Sequence, residues 1–336
     1  MILFLGSAIA AGWLMTQHMN ETYSSAAARI VTDKTSSTAT NVALRSTAER
    51  SSEPETFETR CHEAGVQVCV GFDSPAGFLP ARWPASGLYP AWDKVLRGTM
   101  DTAVKASGRG SLRFEIPSHS AANAAGFWLQ RMGRSFGEGS TFYVQFRQRF
   151  SQEMLKNKWG NTSWKQVIFH NSESTCADVE LTTGQFYQEG FPIMYTDCGG
   201  RGMYTNEGTP PYKLEQGDYN CWYSHYNPKD CFFYPANQWV TFYYEISIGH
   251  WGKPDSTIKA WVALDGRPFR QWIELPNFVL KNDSPGHDYD SLTLLTYMTN
   301  KDTTVDHPTA YTWYDELIIS TRPIAPPASA SSSPSN

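Results

Sequence analysis

The chain has 336 residues and a formal charge of −5; 14% of its residues are aromatic and 18% charged. That length is enough to bury a core, as one large domain or two small ones. The acidic balance and the absence of a basic stripe exclude a general attraction to nucleic acid, while the 12 Trp and 17 Tyr suit either a surface that stacks on sugar rings or strands that simply favour aromatics.

Residues 1–15, MILFLGSAIAAGWLM, are an apolar run without a basic start, read as a signal peptide or short anchor. The run is short for a transmembrane helix. Residues 16–56 are rich in Ser, Thr and Ala and are expected to form a disordered linker. A single folded domain is expected over 57–322. The closing PIAPPASASSSPSN, 323–336, reads as a disordered Pro/Ser tail. Export is the better reading of the N-terminus, so the protein is expected to be secreted.

Within the domain, apolar and polar residues alternate with the period of two that strands impose. SLRFEI places Leu112, Phe114 and Ile116 against Arg113 and Glu115. TFYVQFRQRF places Phe142, Val144, Phe146 and Phe150 against Tyr143, Gln145, Arg147 and Arg149. SQEMLKN reads as one helical turn. WKQVIFHN, 164–171, places Gln166, Ile168 and His170 on one face and Lys165, Val167 and Phe169 on the other. WVTFYYEISIG inserts Val240, Phe242, Tyr244, Ile246 and Ile248 into a core. STIKAWVALDG alternates and ends in an Asp-Gly hairpin signal. SLTLLTYMTN and YTWYDELIIS supply two late strands. Many alternating strands without long helices predict an all-β fold, a two-sheet antiparallel β-sandwich of jelly-roll type.

The six cysteines, Cys61, Cys69, Cys176, Cys198, Cys221 and Cys231, form no C-x-x-C pair, so zinc is not expected. Their even number suits disulfides in an exported protein. Each of the pairs 61–69, 176–198 and 221–231 flanks one loop-like segment, which makes these pairings the expected ones.

Several strands carry hydrophilic residues opposite their apolar face: Arg113 and Glu115; Gln145, Arg147 and Arg149; Gln166 and His170; Asp178 and Glu180; Tyr297. If those strands are neighbours, the polar faces meet in one groove. LRFEI, KQVIFHN and LLTYMTNK, in that order, resemble the concanavalin-like jelly-roll polysaccharide lyases, such as the alginate and glucuronan lyases. In the alginate group a first strand carries Arg-x-Glu, a central strand Gln and His, and a late strand a catalytic Tyr. Gln and His stand four apart here instead of two, and the late strand lacks the family's Lys-Ala-Gly. The resemblance implies catalytic roles for His170, Tyr297, Gln166 and Arg113. It also implies substrate contacts from Glu115, Asn300 and Lys301, and the shared polar face adds Gln145, Arg147, Arg149 and Glu180 as expected substrate contacts.

The chemistry agrees with these residue types. β-Elimination from a uronate needs its carboxylate neutralised, which Arg or Gln achieves through hydrogen bonds that strengthen as the enolate forms. It also needs a base, His or Tyr, and an acid for the leaving oxygen. An anionic polysaccharide is the expected partner, with no nucleic acid and no membrane contact beyond an N-terminal anchor. No cofactor is required; Asn300, Asp302 and Asp306 form an oxygen-rich loop of the kind that can bind calcium, although the spacing matches no calcium motif.

Two other functions fit the same pattern. A non-catalytic carbohydrate-binding or adhesion module can stack sugars on Trp128, Trp164, Trp222 and Tyr223. A glycoside hydrolase can use Asp178 and Glu180 as its carboxylate pair. The bland reading of Arg147 and Arg149 is a solvated face of cross-strand ion pairs, and that of His170 a satisfied strand residue.

Overall fold

A computed structural model of the chain describes residues 54–75, 98–157, 159, 164–171, 180–185, 192–196, 214–215, 221–222, 225–226, 232–280, 288–298 and 301–329; for 180–185, 192–196, 214–215, 221–222 and 225–226 the backbone alone is described. The expected signal segment 1–15, most of the linker 16–56, the end of the tail, Cys176, Cys198, Cys231, Asp178, Tyr223 and Asn300 lie outside the described residues.

The chain opens with α1 (Phe57–Cys61), β1 (Val66–Val70), β2 (Thr99–Asp101), β3 (Ser111–Ile116), β4 (Phe127–Phe136), β5 (Thr141–Phe150) and α2 (Gln152–Lys156). There follow β6 (Trp164–His170), β7 (Glu180–Gln185), β8 (Pro192–Thr196), β9 (Leu214–Glu215), β10 (Cys221–Trp222) and β11 (His225–Tyr226). The last five are β12 (Trp239–Ser247), β13 (Pro254–Leu264), β14 (Arg270–Val279), β15 (Tyr289–Leu295) and β16 (Ala310–Ser320). An eight-stranded sheet runs β14-β13-β12-β5-β16-β3-β2, with β1 added on β16; a six-stranded sheet runs β4-β15-β6-β7-β8-β9. Every pairing between these strands is antiparallel. The protein is an all-β sandwich.

The alternation read from the sequence places the core correctly on the eight-stranded sheet. Leu112, Phe114, Phe142, Val144, Phe146 and Phe242 all enter one apolar cluster. Trp128, Met132, Val167, Phe169, Leu292 and Leu294 meet them from the six-stranded sheet. Trp128 and Trp164 are 1% and 0% exposed, so they pack the core and do not stack on sugars as the binding-module reading required. Ser151 caps α2 by accepting from the Met154 amide, which gives the predicted helical turn its start.

A line of polar groups crosses the core. The Gln166 side-chain amide donates to Gln148 Oε1 at 2.5 Å, and Gln148 donates to Thr312 Oγ1 at 2.9 Å. The Tyr244 hydroxyl donates to Gln166 Oε1 at 3.2 Å. The Tyr314 hydroxyl lies 3.0 Å from the Gln166 carbonyl. Burial holds the Tyr314 phenol well above its ordinary pKa, so it stays a neutral donor. Gln166 thus bonds Gln148, Tyr244 and Tyr314 of the opposite sheet, which ties the relative register of the two layers.

Both ends of the domain are fastened over the outer face of the eight-stranded sheet. Arg60 of α1 donates to Gln145 Oε1 and to Glu316 Oε2. Arg147 faces the same Glu316 carboxylate at 3.1 Å and donates to the Ala328 carbonyl. Gln145 donates to the Ala325 carbonyl at 3.2 Å, and the Ile324 amide donates to the Tyr243 hydroxyl at 3.2 Å. Residues 323–329, expected to be disordered, are a strap packed on the sheet, with Ile324 and Ala325 buried. Its Ala328 amide donates to Glu55 O at 2.7 Å, which ties the strap to the chain entering α1. The expected Cys61–Cys69 disulfide is present and joins α1 to β1.

Arg60, Arg147 and Glu316 are each 2% exposed or less. Both guanidinium groups, out of water, face the Glu316 carboxylate, and Arg147 also faces Asp265 at 3.4 Å. We expect Glu316→Ala to cost about 3–5 kcal/mol in urea unfolding, since it removes the carboxylate that Arg60 faces and leaves Arg147 to Asp265. Glu316→Gln, which keeps the shape and one acceptor, should cost less.

Candidate functional site

The outer face of the eight-stranded sheet is largely closed by the chain itself. The strap and α1 cover Gln145 and Arg147, which are 0% and 2% exposed. Farther along, the turn after β2 lies across the same face: Ala106 packs on Trp239 and Trp313, and its amide donates to Asp315 Oδ2 at 2.7 Å. Burial pushes the Asp315 carboxyl well above the usual range, against the backbone amides that bind it. Gln145 and Arg147 therefore serve the fold, and no substrate reaches them as the shared polar face implied.

Arg113, Glu115 and Arg149 also belong to this sheet and point away from the core, whereas His170 and the Tyr297 segment belong to the six-stranded sheet. The core lies between the two sets, so the expected groove of Arg113, Gln166, His170 and Tyr297 does not form. Gln166 fails for a second reason. The ladder between β6 and β7 carries a register shift between Lys165 and Val167. Trp164, Val167 and Phe169 all enter the core, and Gln166 hydrogen-bonds inside it. A bulge inserts one residue and reverses the phase of the faces beyond it. The outer face of β6 is consequently Lys165, Ile168 and His170.

On this face the ladders align residues into rows. Arg131, Ser291, His170 and Glu180 are successive partners across β4, β15, β6 and β7. Leu129, Thr293, Ile168, Thr182 and Tyr195 form the next row, which reaches β8. Lys165, Gly184, Ile193 and Glu215 form a third. Gly184 has no side chain, so nothing on the neighbouring strand stands up beside Lys165. The Tyr297 carbonyl accepts from the Lys165 amide at 2.8 Å, which seats Tyr297 on the other flank. The Lys165 ammonium lies 5.9 Å from the Tyr297 ring centroid, within cation–π reach.

His170 anchors the far end of the face. Its Nδ1 lies 2.9 Å from the Asn171 carbonyl and its Nε2 2.8 Å from Thr293 Oγ1. A carbonyl only accepts, so Nδ1 carries the proton and Nε2 accepts from the threonine hydroxyl. Arg131 donates to Asp290 at 3.2 Å and to Ser291 Oγ at 3.3 Å beside it. Burial lowers the His170 pKa to about 4, against the pull of the Asn171 carbonyl and of Asp290, with Arg131 adding to the fall. The imidazole is neutral at physiological pH. Lys165 and His170 are five residues apart on one strand, about 16 Å at a strand's rise. His170 and Tyr297 are thus too far apart to act on one bond.

Lys301 donates to the Ser120 carbonyl at 2.7 Å and lies 5.7 Å from the Trp159 ring, buried at 7% exposure. Burial lowers its pKa, and Asp302 opposes the shift. It is engaged in holding loops. Asp302 accepts from Thr304, and Asp306 from Ser118. The two carboxylates of the suggested calcium loop thus face different partners, and among the described residues no three metal-binding side chains are gathered. The side chain of Glu180 is not described, although its backbone stands opposite His170.

No family model and no curated protein matches the sequence. Among solved structures, the chain is similar in outline to the marine PL-14 alginate lyase from Aplysia kurodai, at 12% identity and a TM-score of 0.49 over 77% of this chain and 100% of that one. It is similar to the endo-beta-1,4-glucuronan lyase from the fungus Trichoderma reesei, at 15% identity and a TM-score of 0.43 over 69% and 92%. It is also similar to the cellulose induced protein Cip1, at 14% identity and a TM-score of 0.42 over 77% and 99%. At these identities and scores the likeness carries no argument about chemistry.

The His170 environment makes stability depend on pH. The folded pKa near 4 lies below the ordinary value of about 6.5. The unfolded chain therefore binds the extra proton between those values, and stability falls as pH drops from about 6.5 to about 4. We expect this residue to contribute a loss of about 2–3 kcal/mol over that window. Urea unfolding at pH 7 and pH 4 should show the loss in the wild type and a smaller one in His170→Gln.

Proposed function

We propose that the chain is a secreted polysaccharide lyase that cleaves a uronate-containing polysaccharide by β-elimination, on the outer face of the six-stranded sheet. The observation that carries the proposal is the contact of Lys165 with Tyr297 on the same face as the Arg131–His170 row. The Lys165 ammonium takes the role first assigned to Arg113: it neutralises the sugar carboxylate and so acidifies the neighbouring C5–H. Tyr297 is the base that takes the C5 proton. The electron pair forms the C4–C5 double bond, the C4–O4 bond breaks, and the tyrosine returns the proton to O4. Arg131 acts as a binding group some sugars away, by charge; His170, buried with both nitrogens engaged, holds that row in place. The Cys61–Cys69 disulfide supports an oxidising compartment. Among the described residues no helix is long and apolar enough to cross a membrane.

The test is to incubate the protein with alginate, glucuronan and a neutral glucan, following both ultraviolet absorbance of unsaturated uronates and reducing ends. Both should rise with a polyuronate. Lys165→Met and Tyr297→Phe should each lower kcat at least about a hundredfold with unchanged thermal unfolding. Full activity in both variants removes the site. Reducing ends without absorbance indicate a hydrolase, and retention without cleavage indicates a binding module.

A further inference from the structure

The rim of the eight-stranded sheet carries an arrangement that the trough, the outer face of the six-stranded sheet with Lys165 and Tyr297, does not use. Trp239, Arg149, Trp313, Arg113 and Thr99 are successive ladder partners across β12, β5, β16, β3 and β2. At a strand spacing of about 4.8 Å, the two arginines stand roughly 10 Å apart along a row roughly 19 Å long. The Arg149 guanidinium lies 6.0 Å from the Trp313 ring centroid, and that of Arg113 lies 5.6 Å from Tyr311. Tyr311 and Trp313 stack at 5.9 Å, and Trp313 Nε1 donates to Asp101 at 2.9 Å, so the rings are held in place.

The two arginines differ in their counter-charges. Arg113 is shared between Asp101 at 3.5 Å and Glu115 at 3.9 Å, and its side chain is 33% exposed. The Arg149 guanidinium has neither an ion pair nor a hydrogen bond among the described residues, and its Nε is buried without a partner. Burial lowers its pKa, and no acid opposes the shift. A partly desolvated cation of this kind is costly to the fold until an anion meets it.

We propose that the Arg149–Trp313–Arg113 row is a second binding site, which takes an acidic sugar unit of a polysaccharide through its carboxylate. Arg149 supplies a two-pronged contact to the carboxylate, Arg113 reaches the next acidic group, and the rings of the row give an apolar border. The overall charge of −5 makes an extended nucleic acid a poor occupant. The choice of a sugar as carrier of the anion rests on the lyase reading; the anion itself does not. The row lies across the core from the trough, so one polymer held at both faces is bound by avidity.

The experiment is affinity electrophoresis and calorimetry of the full chain with polygalacturonate, with neutral glucan as control. Arg149→Gln, which removes the charge and leaves a shorter, planar amide, should weaken polygalacturonate binding about tenfold, the loss typical of one charged hydrogen-bonded contact. Its melting temperature should be equal to or above that of the wild type, since an uncompensated cation is gone. Arg149→Lys should weaken binding less. Sodium sulfate should quench the fluorescence of the neighbouring tryptophans in the wild type and not in Arg149→Gln. An inactive Lys165→Met protein should keep the part of the binding that Arg149→Gln loses. Unchanged affinity in a folded Arg149→Gln protein overturns this site and leaves the trough standing. An active Lys165→Met protein overturns the trough and leaves this site standing.

Discussion

One buried carboxylate, Glu316, organises the eight-stranded sheet. It faces Arg60 from the N-terminal helix and Arg147 from β5. Burial lowers the Arg60 pKa, and the Glu316 charge opposes the fall. Ions this deep are tolerated only when they are paired and hydrogen-bonded, and here the guanidinium groups also reach Gln145, Asp265 and a strap carbonyl. The arrangement explains why residues at both ends of the domain are ordered against the sheet. It also converts a hydrophilic sheet face into an interior.

That conversion decides where a polymer can lie. A sandwich has two outer faces, and in this chain the strap, helix and β2 turn cover much of one, leaving Arg113 and Arg149 part-exposed at its rim. The other carries Lys165, Tyr297, Arg131 and His170. The bulge in β6 matters because it exchanges Gln166 for Lys165 on that face. The displaced Gln166 is put to structural use, bonding Gln148 of the opposite layer at 2.5 Å. One extra residue thus supplies both a cation for the trough and a polar tie between the sheets.

The alternation in SLRFEI, TFYVQFRQRF and WVTFYYEISIG was legible because strands of period two declare their inner face without knowledge of their neighbours. Their apolar residues are the core residues observed. The same reading put Gln145 and Arg147 on an outer face correctly, yet what covers an outer face comes from residues far away in sequence, here 60 and 322–329. The face of Gln166 was misread because a single-residue bulge leaves no mark in hydrophobicity: Trp164, Val167 and Phe169 are apolar in either phase. Trp128 and Trp164 were candidates for sugar stacking by residue type alone, and residue type does not separate a stacking platform from a core. Lys165 was visible only as a polar interruption of an apolar face, and that mismatch was the one available signal of the bulge.

The separation of His170 from Lys165 and Tyr297 assigns different work to the two ends of the trough. A buried imidazole with a pKa near 4 is a weak base, and both of its nitrogens already face oxygen partners. Such a ring is suited to holding a fixed hydrogen-bond pattern, because neither its charge nor its tautomer changes near neutral pH. The Lys165–Tyr297 end instead pairs an ammonium with a phenol, opposite Gly184 on β7. Chemistry belongs where groups can approach a reacting atom, and register belongs where they cannot move. On the lyase reading proposed above, the two ends lie at least about 16 Å apart along the strands, so only a substrate of several sugars reaches Arg131 and Tyr297 together, and binding energy gained at the first can position the bond at the second.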